Sequence, residues 1–331
     1  MEILPRTLGT RPRLACEVRA EGVVAARAED AMAVLSAVSQ VALGQGLVIH
    51  HVRSGDAAGP VEAAATQADG GAGRALVVGA VRRALDAVCL RTREVTLVVP
   101  DSAVRVLLLE FDSLPAKAAE ALPLVRFRLK KLLPFDAEDA AVSYQVMSSA
   151  KGVVQVLAVA MPRDVQDEYE GVVRDAGYEP GAVLPSTLAA LAGLSERESP
   201  TLVVNAGKDG VTTAIVKSGV LLLHRTVDLG SEPGATGGGA APANEVAQAV
   251  SVAAAYFEDT LETTPAVVLT AGTMGAEALI GVIDASGVGI GPVAVQEMLD
   301  RQMLGPGAET AGTQSGIPLG WLAGVRGALA N

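Results

Sequence analysis

Alternation of apolar and polar positions gives the first division of the chain. From Arg13 the run "LACEVRA", a break at Glu21-Gly22 and "VVAARAE" read as two strands paired by a tight turn. The next apolar run, "AVLSAVSQVALGQG", suggests a helix by its alanines and a third strand by its place after two paired ones. Residues 54 to 74 carry glycine and alanine without an apolar period and read as a loop. In "ALVVGAVRRALDAVCL", Leu76, Val77, Val81, Leu85 and Val88 fall at helical spacing with Arg82, Arg83 and Asp86 opposite, which predicts an amphipathic helix. "EVTLVVPDSAVRVLLLEF" follows as two extended segments broken at Pro100-Asp101-Ser102.

Residues 116 to 133 predict a second helix with Val125, Leu129 and Leu132 on one face and Arg126, Lys130 and Lys131 on others. A hairpin around Ala150-Lys151-Gly152, a helix closed by Gly177, a strand and a helix N-capped by Ser186 complete the middle block. After "SERESP" the pattern of strand, glycine turn and strand starts again at Thr201, so residues 13 to 30 and 201 to 219 form a weak internal repeat. The glycine-rich stretch 230 to 243 reads as a loop, and Asn244 as the cap of a helix with Val246, Val250, Ala253, Ala254 and Phe257 in a stripe. "AVVLTAG" reads as a buried strand, Met274 to Ser286 as a helix, and a last helix presents Trp321, Leu322, Val325 and Leu329 on one side.

Composition narrows the function classes. The 331 residues exceed a typical single core, so two lobes are expected. A formal charge of −11 repels nucleic acid and anionic lipid, which disfavours both as main partners. No apolar run approaches the roughly 20 residues a membrane helix needs, and the first residues lack a signal-peptide pattern, so no membrane span is expected and the protein is placed in the cytosol. Cys16 and Cys89 read as free buried thiols. His50, His51 and His224 show no metal-ligand spacing, so no metal site is expected.

Three runs carry a family resemblance: "VTLVVPDSAVRVLLLEFDSLP" (95 to 115), "LVRFRLKKLLPFDAEDAAVSYQVM" (124 to 147) and "LVVNAGKDGVTTAIVKSGVLLLHRTVDLG" (202 to 230). In this order they resemble the PilM family of type IV pilus assembly proteins, within the actin-like ATPase superfamily and related in fold to FtsA. The resemblance implies an α/β fold of two duplicated actin-like lobes with an inserted α+β subdomain. Its divisions would be 1–115 with the closing helix 317–330, 116–195 for the insertion, and 200–310 for the second lobe. It implies an adaptor of the pilus assembly platform, peripheral to the inner membrane through its partner. That adaptor would bind the N-terminal tail of a PilN-like protein in a groove between the 95–112 strands and the 116–147 block. Val104, Val106, Arg126, Lys130, Pro134, Phe135 and Tyr144 are the groove residues so implied; Arg128 and Lys131 join the basic set, for which a solvated helix face is the alternative.

The superfamily also implies ATP and magnesium, and the corresponding motifs are degraded. Glu17 holds the acidic position of the first turn, Arg19 stands where glycine is expected, Glu21 adds negative charge and Val24 replaces a lysine. In the second turn Asn205 replaces aspartate while Gly207 and Gly210 remain, and the adenosine-side glycine pair is reduced to Ala271-Gly272. A vestigial site of Glu17, Asn205, Gly207 and Gly272, with no cofactor and no catalytic residue, is therefore expected. The alternatives are an active actin-like ATPase or kinase, an FtsA-like polymer and a type II secretion platform component.

Overall fold

The computed structural model describes residues 12–30, 32–44, 66–150, 152–229, 240–287, 290, 293–308 and 316–330. The repeat read from the sequence is a repeat of sheets. β1 (Leu14–Arg19), β2 (Gly22–Ala28) and β3 (Leu35–Ala42) form an antiparallel meander, and β4 (Glu94–Val99) pairs parallel to β1. In the second lobe β9 (Thr201–Ala206), β10 (Gly210–Lys217) and β11 (Val220–Asp228) repeat the meander, with β12 (Val267–Gly272) parallel to β9. A fifth strand flanks each: β8 (Glu179–Pro185) beside β4, and β13 (Ala294–Glu297) beside β12. The sheet orders β3-β2-β1-β4-β8 and β11-β10-β9-β12-β13 are therefore the same. Both central strands, β1 and β9, are buried along their whole length, as strands covered on both faces must be.

Each sheet has a helical outer layer. α1 (Thr66–Val88) and α3 (Arg163–Asp175) cover the first, burying Val81, Leu85, Tyr169 and Val172 against β1, β2 and β4. α5 (Ala240–Leu261) and α6 (Ala276–Ser286) cover the second through Val246, Val250, Phe257 and Leu279. The inner faces share one core with α4 (Ser186–Ala192) and α7 (Leu322–Leu329), and Trp321 is 3% exposed there. The final helix packs on β1, β2 and β4 and touches β12 as well. Its approach to α4 depends on Gly327, where an added Cβ would sit 1.8 Å from the Ala189 carbonyl oxygen.

The insertion is a three-stranded sheet, β5 (Arg105–Phe111), β7 (Val153–Pro162) and β6 (Ala140–Ala150), backed by α2 (Ala118–Leu129) with Val125 and Leu129 in a small core. Strand membership thus departs from the 116–195 division. β5 joins the inserted sheet because it pairs along its full length with β7, while β8 and α3 belong to the first lobe. Several local readings also shift. α1 begins at Thr66, so residues 66–74 are helical despite three glycines, and the rest of the expected 54–74 loop lies outside the described residues. β3 settles the strand-or-helix choice for the third apolar run. α5 begins at Ala240, which places Asn244 inside it. Leu132 lies beyond the end of α2 and is 51% exposed, so it is not on the buried helical face. Ser186 is the first residue of α4, after the N-cap Pro185, and its hydroxyl is used elsewhere.

Candidate functional site

The repeated hairpins set the geometry of the cleft between the lobes. In the first, Arg19 pairs with Gly22 across a two-residue loop, Ala20-Glu21. In the second, the Gly207 N–H donates to the Gly210 carbonyl at 3.1 Å across the loop Lys208-Asp209. Superposing the two registers equates Glu17 with Asn205, Arg19 with Gly207, and Val24 with Thr212, which face their partners at matching positions. The two loops approach each other. The Lys208 N–H donates to Glu21 Oε1, and the Ala20 N–H donates to Asp209 Oδ2 at 3.3 Å. Glu21 Oε1 also accepts from the Thr273 hydroxyl at 2.6 Å.

Arg19 fills the space between the strands below these loops. Its Nε donates to Glu17 Oε1 at 2.6 Å, and its Nη2 to Ser186 Oγ at 2.6 Å and Asn205 Oδ1 at 2.8 Å. The Asn205 amide then donates to Ser186 Oγ at 3.0 Å and Thr187 Oγ1 at 2.9 Å. Asp101 completes the chain by accepting from the Thr187 hydroxyl and, at 3.1 Å, from its backbone N–H. Both lobes, α4 and the turn after β4 thus meet in one polar network with Glu17 fully buried and Arg19 8% exposed. Burial raises the Glu17 carboxyl pKa above its ordinary value, with Arg19 pulling the other way. Burial likewise disfavours the Arg19 cation, but Glu17 and Glu21 beside it outweigh that and raise its pKa.

A magnesium-bound nucleotide does not fit these residues. At Gly207, the glycine a phosphate would approach, an added Cβ would meet Glu21 Oε1 at 2.8 Å and Arg19 Nη1 at 3.1 Å. At Gly272, with φ +80°, it would meet the Ala206 carbonyl oxygen and Asn205 Oδ1, each at 2.5 Å. Protein atoms therefore already stand against both glycines. Glu17, the one carboxylate at a metal position, is paired with Arg19. Past Gly272, Glu297 accepts from the Ala276 N–H at 2.8 Å and the Gly320 N–H at 2.7 Å, taking up the N-terminus of α6. Among the described residues no cluster of histidine, cysteine, aspartate and glutamate is placed to hold a metal ion. Glu17, Asn205, Gly207 and Gly272 do come together, as members of this closed network.

The seven residues named for a partner groove are not brought together as one surface. Val104 is buried in the first-lobe core and Val106 packs partly against it. Arg126 donates to the carbonyls of Ala137 and Ala140, tying α2 to the start of β6, and Lys130 pairs with Glu138 at 3.5 Å. Phe135 and Tyr144 pack on the insertion's own core, and Pro134 is exposed. An open groove of ≈ 550 Å³ lies instead between the insertion and the second lobe. Leu108, Leu132 and Met147 form one wall, Leu221, Leu222 and Tyr256 the other, and Arg128, Lys131 and Glu110 stand at it. Leu108 is 40% exposed. Arg128 and Lys131 have no ion-pair partner among the described residues, whereas Lys130 pairs with Glu138 and Arg126 is held by backbone carbonyls. This groove draws one wall from β11 and α5 of the second lobe, elements outside the 95–147 block.

The fold is that of the actin-like ATPases. No family model and no curated protein sequence matches the chain. Among solved structures it is similar to the PilM-PilN type IV pilus biogenesis complex, at 16% identity and a TM-score of 0.67, over 96% of this chain and 97% of that one. It also aligns with the cytoplasmic domain of EpsL, an inner-membrane component of the type II secretion system of Vibrio cholerae. That alignment has 16% identity and a TM-score of 0.45, over 78% of this chain and 81% of that one. The first likeness spans both lobes and the insertion in a single alignment. No helix among the described residues is long and apolar enough to cross a membrane.

Proposed function

We propose that the protein is a scaffold of a type IV pilus or related secretion platform, located at the cytoplasmic side of the inner membrane through its partner. It binds the N-terminal tail of a PilN-like protein and turns over no nucleotide. The contrast between a cleft filled by the chain's own side chains and an open apolar groove beside the insertion carries this reading. An ATPase needs a carboxylate free to hold a metal and a loop open to phosphate, whereas a peptide adaptor needs exposed apolar pockets with a few polar anchors. Leu108, Leu132 and Leu222 supply the pockets, and Arg128 and Lys131 suit a tail with acidic residues. The likeness to a PilM chain in complex with PilN supports the choice of partner class.

Calorimetric titration with a synthetic PilN-like tail tests the reading. Saturable binding that is lost in Leu132→Asp while the variant keeps its melting temperature is the expected result. Binding unaffected by Leu132→Asp and Leu108→Asp would move the site away from this groove. A platform lacking any such tail interaction would remove the adaptor reading.

A further inference from the structure

The cleft is more than degraded, because its parts are replaced in kind. Hairpin loops that cradle phosphate do so with backbone N–H groups aimed at oxygen anions. Here the first loop residue of each hairpin, Ala20 and Lys208, donates its N–H to the carboxylate of the second loop residue of the other hairpin, Asp209 and Glu21. The exchange is reciprocal and follows the internal two-fold repeat. Beneath it, a cation is bound between the two equivalent strand positions Glu17 and Asn205, and that cation is the Arg19 guanidinium. Arg19 itself stands at the position equivalent to Gly207, where only a glycine would leave room for a ligand.

We propose that the cleft is self-liganded: Glu21 and Asp209 take the place of phosphate oxygens at the opposing loops, Arg19 takes the place of the metal, and the chain thereby ties its own lobes together without nucleotide. The three groups supply two anions and one cation in the arrangement of an anionic ligand with its counter-ion. The two crossed hydrogen bonds they make span 187 and 189 residues of sequence. Loss of a small molecule cannot open such a tie, so the lobes keep one relative position through any cycle of nucleotide concentration. This inference concerns the cleft alone and stands or falls separately from the partner-binding groove.

Residue-resolved amide exchange on the full chain tests it, because the pairing is crossed. Glu21→Ala is expected to speed exchange of the Lys208 N–H about tenfold or more and leave Ala20 unchanged, and Asp209→Ala to do the reverse. Both substitutions sit at hairpin tips outside the cores, and amides of the β5-β7-β6 sheet report that the fold is kept. Exchange at Ala20 and Lys208 that stays the same in both variants overturns the proposal. So does wild-type protein that binds Mg-ATP with micromolar affinity in a calorimetric titration, where no heat of binding is expected. Should Glu21→Ala fail to fold, Glu21→Gln keeps the side-chain volume, and the same crossed pattern at reduced size is expected from it.

Discussion

Two regions of the molecule, the cleft between the lobes and the groove beside the insertion, treat polar groups in opposite ways. In the inter-lobe cleft, Arg19, Glu17, Asn205, Ser186, Thr187 and Asp101 are buried and hydrogen-bonded to one another, with Glu17 Oε2 the buried oxygen left without a partner among them. In the groove beside the insertion, leucines are partly exposed and Arg128 and Lys131 lack ion-pair partners among the described residues. Buried charge left without a partner is costly, so pairing Glu17 with Arg19 across this network favours the arrangement of the lobes that keeps the pair together. Exposed apolar surface flanked by unused cations is the reverse condition, since covering it with a complementary chain releases free energy.

The sharpest way to break the comparison is to unbalance the cleft. Arg19→Ala leaves Glu17 buried beside no cation and is expected to lower stability by about 3–5 kcal/mol in a denaturant titration. The paired change Glu17→Leu with Arg19→Met is expected to cost much less than Arg19→Ala alone, because no charge is left stranded. A double variant as unstable as Arg19→Ala would show that packing rather than charge holds the site. Gly327→Ala tests the helix that closes the inner core: the Ala189 carbonyl cannot move aside without shifting α4, so a loss of roughly 1–3 kcal/mol or more is expected by the same titration.

Groove substitutions should show the opposite signature. Leu108→Asp and Leu132→Asp introduce charge at positions already partly in water, so stability changes within about 0.5 kcal/mol are expected while tail binding is lost. A large drop in melting temperature would mean these leucines belong to the core. The smallest expected effect concerns His224, whose pKa burial lowers, with Asp101 opposing. The unfolded chain then binds a proton near pH 6.5 that the folded chain does not. Stability from this group is present above that pH and is lost as pH falls below it. Comparing wild type with His224→Gln across pH 5 to 7.5 isolates it from Glu17, whose raised pKa has the opposite sign, and the variant is expected to show the flatter acid limb.

Legibility in the sequence followed the range of the interactions. The duplication was readable because each hairpin is local: an apolar strand, a tight turn and a return strand fix the pairing of Glu17 with Val24 and Asn205 with Thr212. The placement of Arg19 against a glycine position was readable for the same reason. The partners of Arg19 were not. Asp101 looked like a turn residue and Ser186 like a helix cap, and only the approach of β4, α4 and β9 makes them one network. An arginine in a strand otherwise buried throughout was the one signal that a counter-charge must lie close by. α1 was read short because Gly70, Gly71 and Gly73 weaken the helical pattern. β5 was assigned to the wrong sheet because nothing in "RVLLLEF" says which of two apolar neighbours it will pair with.

Binding of the PilN-like tail with and without saturating Mg-ATP tests the central claim most directly, since it reads groove and cleft in one titration. The same dissociation constant in both conditions, with binding abolished by Leu132→Asp, is the expected result. A tenfold or greater change in affinity on adding nucleotide, about 1.4 kcal/mol of coupling between the two sites, would contradict a cleft closed by the chain's own groups.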